Sequence, residues 1–173
     1  MMGFTDAVRR GIRIVKLERA AYREVAADPQ ALTQALVIAG LAGIASWLAP
    51  PSFRLGGVIL GPLGALLGLF VMAGVLHFAA VLFGGRGDYL TLVRVWGTGW
   101  IVSWALIVPW LGMVVSLWGL VVACVALEEL YGLDRPRAVI AVLIPVAAAA
   151  LLGLILIINL ALFGGLRGWF SLV

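Results

Sequence analysis

The sequence predicts an all-α integral membrane protein with five transmembrane helices, preceded by an amphipathic N-terminal helix. Of its 173 residues, 64% are apolar and only 12% are charged, whereas soluble domains are about 45–50% apolar and about 25% charged. Residues 1–28 carry ten of the twenty charged side chains. Four charge-free windows follow, each longer than the roughly 20 apolar residues that cross a bilayer: 29–53, 55–85, 95–127 and 138–166.

Three of these windows hold one span each, and pairs of proline or glycine mark the ends of these spans. We predict spans over 30–48, 57–83 and 138–163. They stop at Pro50-Pro51, Gly84-Gly85 and Gly164-Gly165, respectively, and Pro145 predicts a kink in the last span.

The third window is too long for one span, because 33 helical residues measure about 50 Å and the hydrocarbon core about 30 Å. Pro109 and Gly112 lie near its middle. A tight turn there predicts two spans, over 89–108 and 110–131, and brings the total to five.

The distribution of Lys and Arg supports this count. With five spans and a cytoplasmic N-terminus, ten of these cations lie inside, and two, Arg54 and Arg167, lie outside. With four spans, nine would lie inside and three outside. The positive-inside rule therefore favours five spans, with the C-terminus outside a prokaryotic inner membrane.

The N-terminal region, residues 1–28, has helical periodicity from Thr5 to Ala26. One interpretation is a helix on the inner leaflet, with basic side chains among anionic head groups. The alternative is a helix that docks on the protein's own inner loops. After this region we predict a membrane domain over residues 29–165 and a short tail over 166–173 on the outer side. The candidate lipid-facing residues are Arg9, Arg10, Arg13, Lys16 and Arg23.

Polar side chains within the spans are the main functional candidates, because burying them in a bilayer is costly. Arg94 precedes Pro109 by fifteen residues and Glu128 follows Gly112 by sixteen, so both lie about 22–24 Å from the hairpin tip. We therefore predict that Arg94 pairs with Glu128 or Glu129; the alternative is separate snorkelling to the head groups. The full candidate cluster is Gln34, His77, Arg94, Glu128 and Glu129.

The histidine, tryptophans and glycines of the spans are more typical of helix packing than of a catalytic or cofactor-binding site. His77 could relay protons or bind a cofactor, but a lone His more often bonds a neighbouring helix. Trp96, Trp100 and Trp104 form a stripe at steps of four, typical of packing or a lipid-facing surface. Small-residue spacing of glycines in the first two spans predicts close helix approach.

Three segments resemble the Yip (Ypt-interacting protein) family, in its prokaryotic branch. They are HFAAVLFGGRGDY at 77–89, and LWGL at 117–120 with LEELYGLDRPRA at 127–138. The resemblance covers about 29–165 and implies a five-helix membrane domain with an inner N-terminus. Eukaryotic relatives act with Rab-type GTPases, but their Asp-Leu-Tyr-Gly-Pro-like motif is absent here.

These observations favour a membrane-embedded structural or interaction protein that organises partner proteins or lipids, and its partner is either another membrane protein or a second copy of the chain. We expect no catalytic activity, no cofactor, no metal and no nucleic-acid partner. The first alternative is a small oligomeric transporter or channel with an inner-facing polar cavity. The second is an accessory subunit of a larger membrane complex.

Overall fold

A computed structural model describes residues 3–48 and 57–170 of the chain, and within them all regular structure is helical. The all-α prediction is therefore confirmed for this part of the chain. The α-helices are α1 (Phe4–Val15), α2 (Arg19–Ala27), α3 (Ala31–Leu48), α4 (Gly57–Leu82), α5 (Tyr89–Gly99), α6 (Gly112–Tyr131) and α7 (Arg135–Phe170). Two 3-10 segments, Trp100–Ile107 and Pro109–Leu111, join α5 to α6.

Four helical segments of the described chain are long and apolar enough to cross a membrane: Ile59–Leu82, Tyr89–Ile107, Gly112–Tyr131 and Arg135–Asn159. A fifth is counted only if Arg19–Ala27 and Ala31–Ser46, which meet at 115°, form one broken span. The structure thus gives four or five spans where the sequence predicts five. The proline pair predicted to end the first span, Pro50-Pro51, lies outside the described residues.

Helix α3 packs against α4, α5 and the first 3-10 segment. The two helices α3 and α4 lie close together at Gly43, where an added Cβ would overlap the carbonyl oxygen of Gly61. Small residues allow such backbone approach in membranes, where helix association depends on packing. The glycine spacing of the first two spans therefore has the predicted packing role at this crossing.

The N-terminal region differs from the prediction of one helix from Thr5 to Ala26. It forms α1 and α2, and the chain turns between them at Leu17, whose φ is 62°. Side-chain periodicity cannot reveal such a break, because the turn keeps apolar residues of both helices on the inner side. Both helices dock on the protein itself, as the second interpretation held, but on α5, α6 and the first 3-10 segment rather than on loops.

The third predicted span changes helix type part of the way along. It is α-helical to Gly99 and then continues as a 3-10 helix to Ile107. A 3-10 helix has three residues per turn, so a spacing of four no longer keeps side chains on one face. Trp96 and Trp100 meet edge to face, but Trp104 instead stacks on Phe4 and donates from Nε1 to the carbonyl of Ile38 at 3.1 Å. The single-face tryptophan stripe was therefore wrong.

Helix α7 is the longest element, with 36 residues and Pro145 inside it. It includes the predicted span 138–163 but continues through Gly164-Gly165 to Phe170, so the predicted stop was wrong. Its first turns pack on α4 and α6, whereas the leucines and isoleucines over 151–158 are exposed on the isolated chain. A bilayer would cover this apolar surface.

Candidate functional site

Two neighbouring carboxylates near the C-terminal end of α6 bind the N-terminal helices. Arg19 donates from Nη2 to Glu128 Oε2 at 2.7 Å and from Nη1 to Glu129 Oε1. Arg23 donates from Nε to Glu129 Oε2 at 2.7 Å. The Glu129 side chain is only 4% exposed, whereas that of Arg23 is 72% exposed. The arginines thus cover the buried carboxylate from the outside, and we call these four residues the α2–α6 clamp.

A second set of ion pairs holds α1 against α2. Arg10, whose side chain is 6% exposed, lies 3.0 Å from Glu24 and 2.7 Å from Asp28. Arg13 binds Glu18 at 2.9 Å and Glu24 at 2.7 Å. The Arg10 guanidinium lowers the pKa of the Asp28 carboxyl, and the bonds to Glu18 and Glu24 raise the pKa of Arg13.

These contacts change the interpretation of the basic N-terminal residues. Arg10, Arg13 and Arg23 were candidates for lipid contact, but the structure places all three in ion pairs within the protein. Arg9 and Lys16 are exposed, and Arg9 lies 3.8 Å from Asp6.

The predicted pairing of Arg94 with Glu128 or Glu129 was wrong. Arg94 donates from Nη1 to the carbonyl of Ala26 at 3.1 Å and from Nη2 to Thr91 Oγ1 at 2.8 Å. Arg94 and Glu128 have matching depths on α5 and α6, but α2 supplies both the arginines that bind the carboxylates and the carbonyl that binds Arg94. Arg94 therefore holds the C-terminal end of α2 against α5.

A third polar group lies where α4, α5 and α6 meet. His77 Nδ1 and the Tyr131 hydroxyl are hydrogen bonded at 2.6 Å, and the rings of Tyr131 and Tyr89 both meet the imidazole edge to face. Tyr89 donates to the carbonyl of Phe70 at 3.0 Å. His77 thus bonds a neighbouring helix, as the packing interpretation of a lone His predicts.

The loop between α4 and α5 fits closely around Tyr131. The amide of Arg86 donates to the Tyr131 carbonyl at 3.1 Å, and a Cβ on Gly87 would lie 2.7 Å from the tyrosine ring. Gly84 turns the chain with a φ of 87°, which L side chains rarely adopt. Asp88 then caps α5 by accepting from the Thr91 amide at 2.8 Å, and this bond and one from the Thr91 hydroxyl lower its pKa.

The candidate polar cluster is therefore divided among separate contacts. Glu128 and Glu129 belong to the α2–α6 clamp, Arg94 to the α2–α5 contact and His77 to the tyrosine group. Gln34 lies half-buried on α3. The sequence analysis missed Arg19 and Tyr131 as partners. A usable signal was present, because Arg19 and Arg23 are four residues apart and share a helix face.

Cavities border the first 3-10 segment on several sides. One of about 420 Å³ lies between it, α3 and α4, and one of about 190 Å³ lies between it and α6. A third, of about 430 Å³, lies beneath α1. No residue of Trp100–Ile107 is fully buried. Among the described residues, no three His, Cys, Asp or Glu side chains are placed to hold a metal ion.

Comparison with known protein families gives a match over most of the chain. The family model for the Yip1 domain matches residues 13–157, from the second half of α1 into α7. No curated protein and no solved structure matches the chain significantly.

Proposed function

Because this chain belongs to the Yip1 family of membrane proteins, we propose that it is a non-catalytic interaction protein that organises partner proteins or lipids in a prokaryotic inner membrane. The observation that carries this proposal is the α2–α6 clamp. In this clamp, Glu128 and Glu129 near the end of a membrane span bind arginines of α2 and so hold the N-terminal helices in one position on the bundle.

The use of these charges favours an interaction role over transport. Polar residues of a transport pathway are expected to face a water-filled cavity. Here Glu128, Glu129 and Arg94 bond to α2, and His77 bonds to Tyr131. The transporter hypothesis used these same residues as the lining of its cavity, and their contacts support a structural role instead.

The fixed N-terminal helices present a defined surface to their surroundings. Phe4 and Ile12 expose 52% and 44% of their surface, and Arg9 and Lys16 are exposed beside them. A surface with an apolar stripe beside cations suits contact with a membrane interface or an amphipathic partner. We propose that the end of the bundle that carries the α2–α6 clamp is cytoplasmic and that the C-terminus is outside, as the distribution of Lys and Arg favours.

The role can be tested by crosslinking in intact cells. A photoreactive residue replaces Ile12 in the full chain, and the same substitution is combined with Arg19→Ala and Arg23→Ala to release the clamp. We expect specific crosslinks to protein or lipid that are lost on release but kept with Arg135→Ala, an exposed arginine on α7. Equal crosslinks in all three chains would contradict the proposal.

A flux measurement separates this role from the transporter hypothesis. The purified full chain is reconstituted in liposomes loaded with small ions and polar solutes. Protein-dependent flux that Glu129→Gln or His77→Ala abolishes would favour transport. Leakage equal to that of empty liposomes is the expected result.

Topology has its own test. In a Cys124→Ser background, single cysteines at Arg86 and Arg54 are labelled with a membrane-impermeant maleimide on intact cells. We expect labelling at position 54 only, and labelling at position 86 only would reverse the proposed orientation.

A further inference from the structure

A groove runs between α1 and the first 3-10 segment. Its walls are apolar: Val8, Ile12 and Val15 from α1 face Ile101 and Ala105 of the 3-10 segment. Its volume is about 430 Å³, within the range of about 300–1,000 Å³ for small-molecule sites.

The groove exists because α1 uses a different stripe of residues to bind the bundle. Ala7, Gly11 and Ile14 are buried, and a Cβ on Gly11 would lie 2.9 Å from the carbonyl oxygen of Thr98. The stripe of Val8, Ile12 and Val15 lies one step further around the helix, at a spacing of four and three. The packing of Ala7, Gly11 and Ile14 therefore holds this stripe opposite the 3-10 segment and leaves the groove open between them.

The two ends of the groove differ in chemistry. At one end Trp104 lines the groove, and Phe4 stacks on it with ring centroids 6.3 Å apart, so this end is apolar. At the other end the stem of Lys16 lines the groove. Within the part of the chain that the structure describes, the Lys16 ammonium has no ion-pair partner.

The length of the groove also identifies its occupant. The lining runs from Val8 to Lys16, which follows the last residue of α1, and these eight steps correspond to about 12 Å. One leaflet of a hydrocarbon core about 30 Å thick is about 15 Å deep, so the groove can hold most of one acyl chain. An apolar groove of this length with a cation at one end is complementary to an anionic amphiphile.

We propose that the groove beneath α1 binds one acyl chain of an anionic phospholipid, with its head-group phosphate on Lys16. The bilayer around the spans supplies this ligand. A second copy of the chain fits less well, because α1 already exposes Arg9 and Lys16 and two such faces repel each other. The proposal goes beyond the interaction role, since it names a ligand and a site that are independent of any protein partner.

The test uses native mass spectrometry of the purified full chain. The protein is titrated with phosphatidylglycerol and with phosphatidylcholine of identical acyl chains, which differ in head-group charge. We expect retained phosphatidylglycerol and a preference over phosphatidylcholine. Lys16→Gln should reduce that preference about fivefold, the factor expected for one cation at an anionic lipid surface. Arg135→Gln removes an exposed arginine outside the groove and should leave it unchanged.

A second variant tests the acyl chain separately from the charge. Ala105→Trp fills the groove, and Ala105→Leu is a milder version should the larger side chain disturb folding, which size-exclusion chromatography would reveal. Either variant should reduce the retention of both lipids. The proposal is overturned if Lys16→Gln and Arg135→Gln weaken the preference equally, or if filling the groove changes nothing. A dimer mass that Ala105→Trp abolishes would instead assign the groove to a second copy.

Discussion

Arg23 donates from Nε to Glu129 Oε2 at 2.7 Å and so joins the second helix of the chain to a residue 106 positions later. Glu129 is 4% exposed and also accepts from Arg19, so one carboxylate serves two cations. Glu129 should therefore contribute more to the stability of this contact than either arginine does, because the arginine side chains remain largely exposed to water. This asymmetry gives the first prediction.

Glu129→Gln keeps the shape of the side chain but removes the charge that both arginines bind. We expect the free energy of unfolding to fall by about 1–2 kcal/mol, toward the lower end of the range for hydrogen bonds to charged groups because the arginines are exposed. Glu128→Gln, which affects only Arg19, should have a smaller effect. Thermal unfolding of the full chain in detergent, followed by circular dichroism, measures both. Equal losses in the two variants would contradict the asymmetry.

The bond between His77 and Tyr131 should appear as coupling in a double-mutant cycle. His77→Phe and Tyr131→Phe each remove the hydrogen bond and keep a ring in place. Side-chain hydrogen bonds between membrane helices couple by about 0.6 kcal/mol on average, and up to about 1.7 kcal/mol. We expect a value in that range from unfolding in mixed micelles. A coupling energy of zero would mean that the two rings only pack.

Two glycines near the α3–α4 crossing should respond in opposite directions to the same substitution. Gly43→Ala places a Cβ that overlaps the Gly61 carbonyl oxygen and should destabilise the chain by about 1–3 kcal/mol, the usual cost of overpacking. Gly64→Ala has nothing within 4 Å of the new methyl group and should gain up to about 1 kcal/mol from helix propensity. Melting temperatures of the two variants check this. A stabilised Gly43→Ala would refute the close crossing.

Acid should destabilise the protein through Asp28 and Asp88. Both carboxyls have a pKa below their ordinary value of 3.8 in the folded chain, because Arg10 binds Asp28 and Thr91 binds Asp88. A lowered folded pKa contributes stability above the unfolded value, and this is lost as the pH falls through the folded pKa. We expect the melting temperature to drop below about pH 4.

The matched variants for this effect are Asp28→Asn and Asp88→Asn. The second keeps an N-cap at α5, since Asn is also a good capping residue. The double variant should start with a lower melting temperature at pH 7 and lose less of it between pH 5 and pH 3. An unchanged slope would assign the acid sensitivity to other carboxyls.

The sequence predicts well where the apolar helices lie. Span 57–83 corresponds to α4, and 110–131 corresponds to α6 with its first turn in 3-10 form. The length of a charge-free segment can be read from the sequence alone, and the glycine pair after α4 marked its end correctly, whereas the pair at Gly164-Gly165 did not end α7. The family resemblance is confirmed, and the family model matches residues 13–157. The match therefore begins earlier in the chain than the predicted range 29–165, and it ends earlier too.

The partners of charged residues were less predictable. Arg94 and Glu128 have matching depths, yet α2 lies against both and supplies other partners. Which helix fills a space between two spans depends on packing across more than 100 residues, and periodicity carries no information about that choice. The break at Leu17 and the 3-10 form of Trp100–Ile107 are changes of backbone conformation within apolar, periodic sequence, and the side-chain pattern did not predict them.

The separation of Arg23 and Glu129 along the chain has a consequence for biogenesis. Ribosomes add about 5–20 residues per second, so synthesis from Arg23 to Glu129, which lies 106 positions later, takes about 5–20 s. During that interval α1 and α2 exist before the carboxylates that will hold them. Both helices thus wait for α6 before they can reach their final position, and nascent chains that end before Glu128 should leave them accessible to protease.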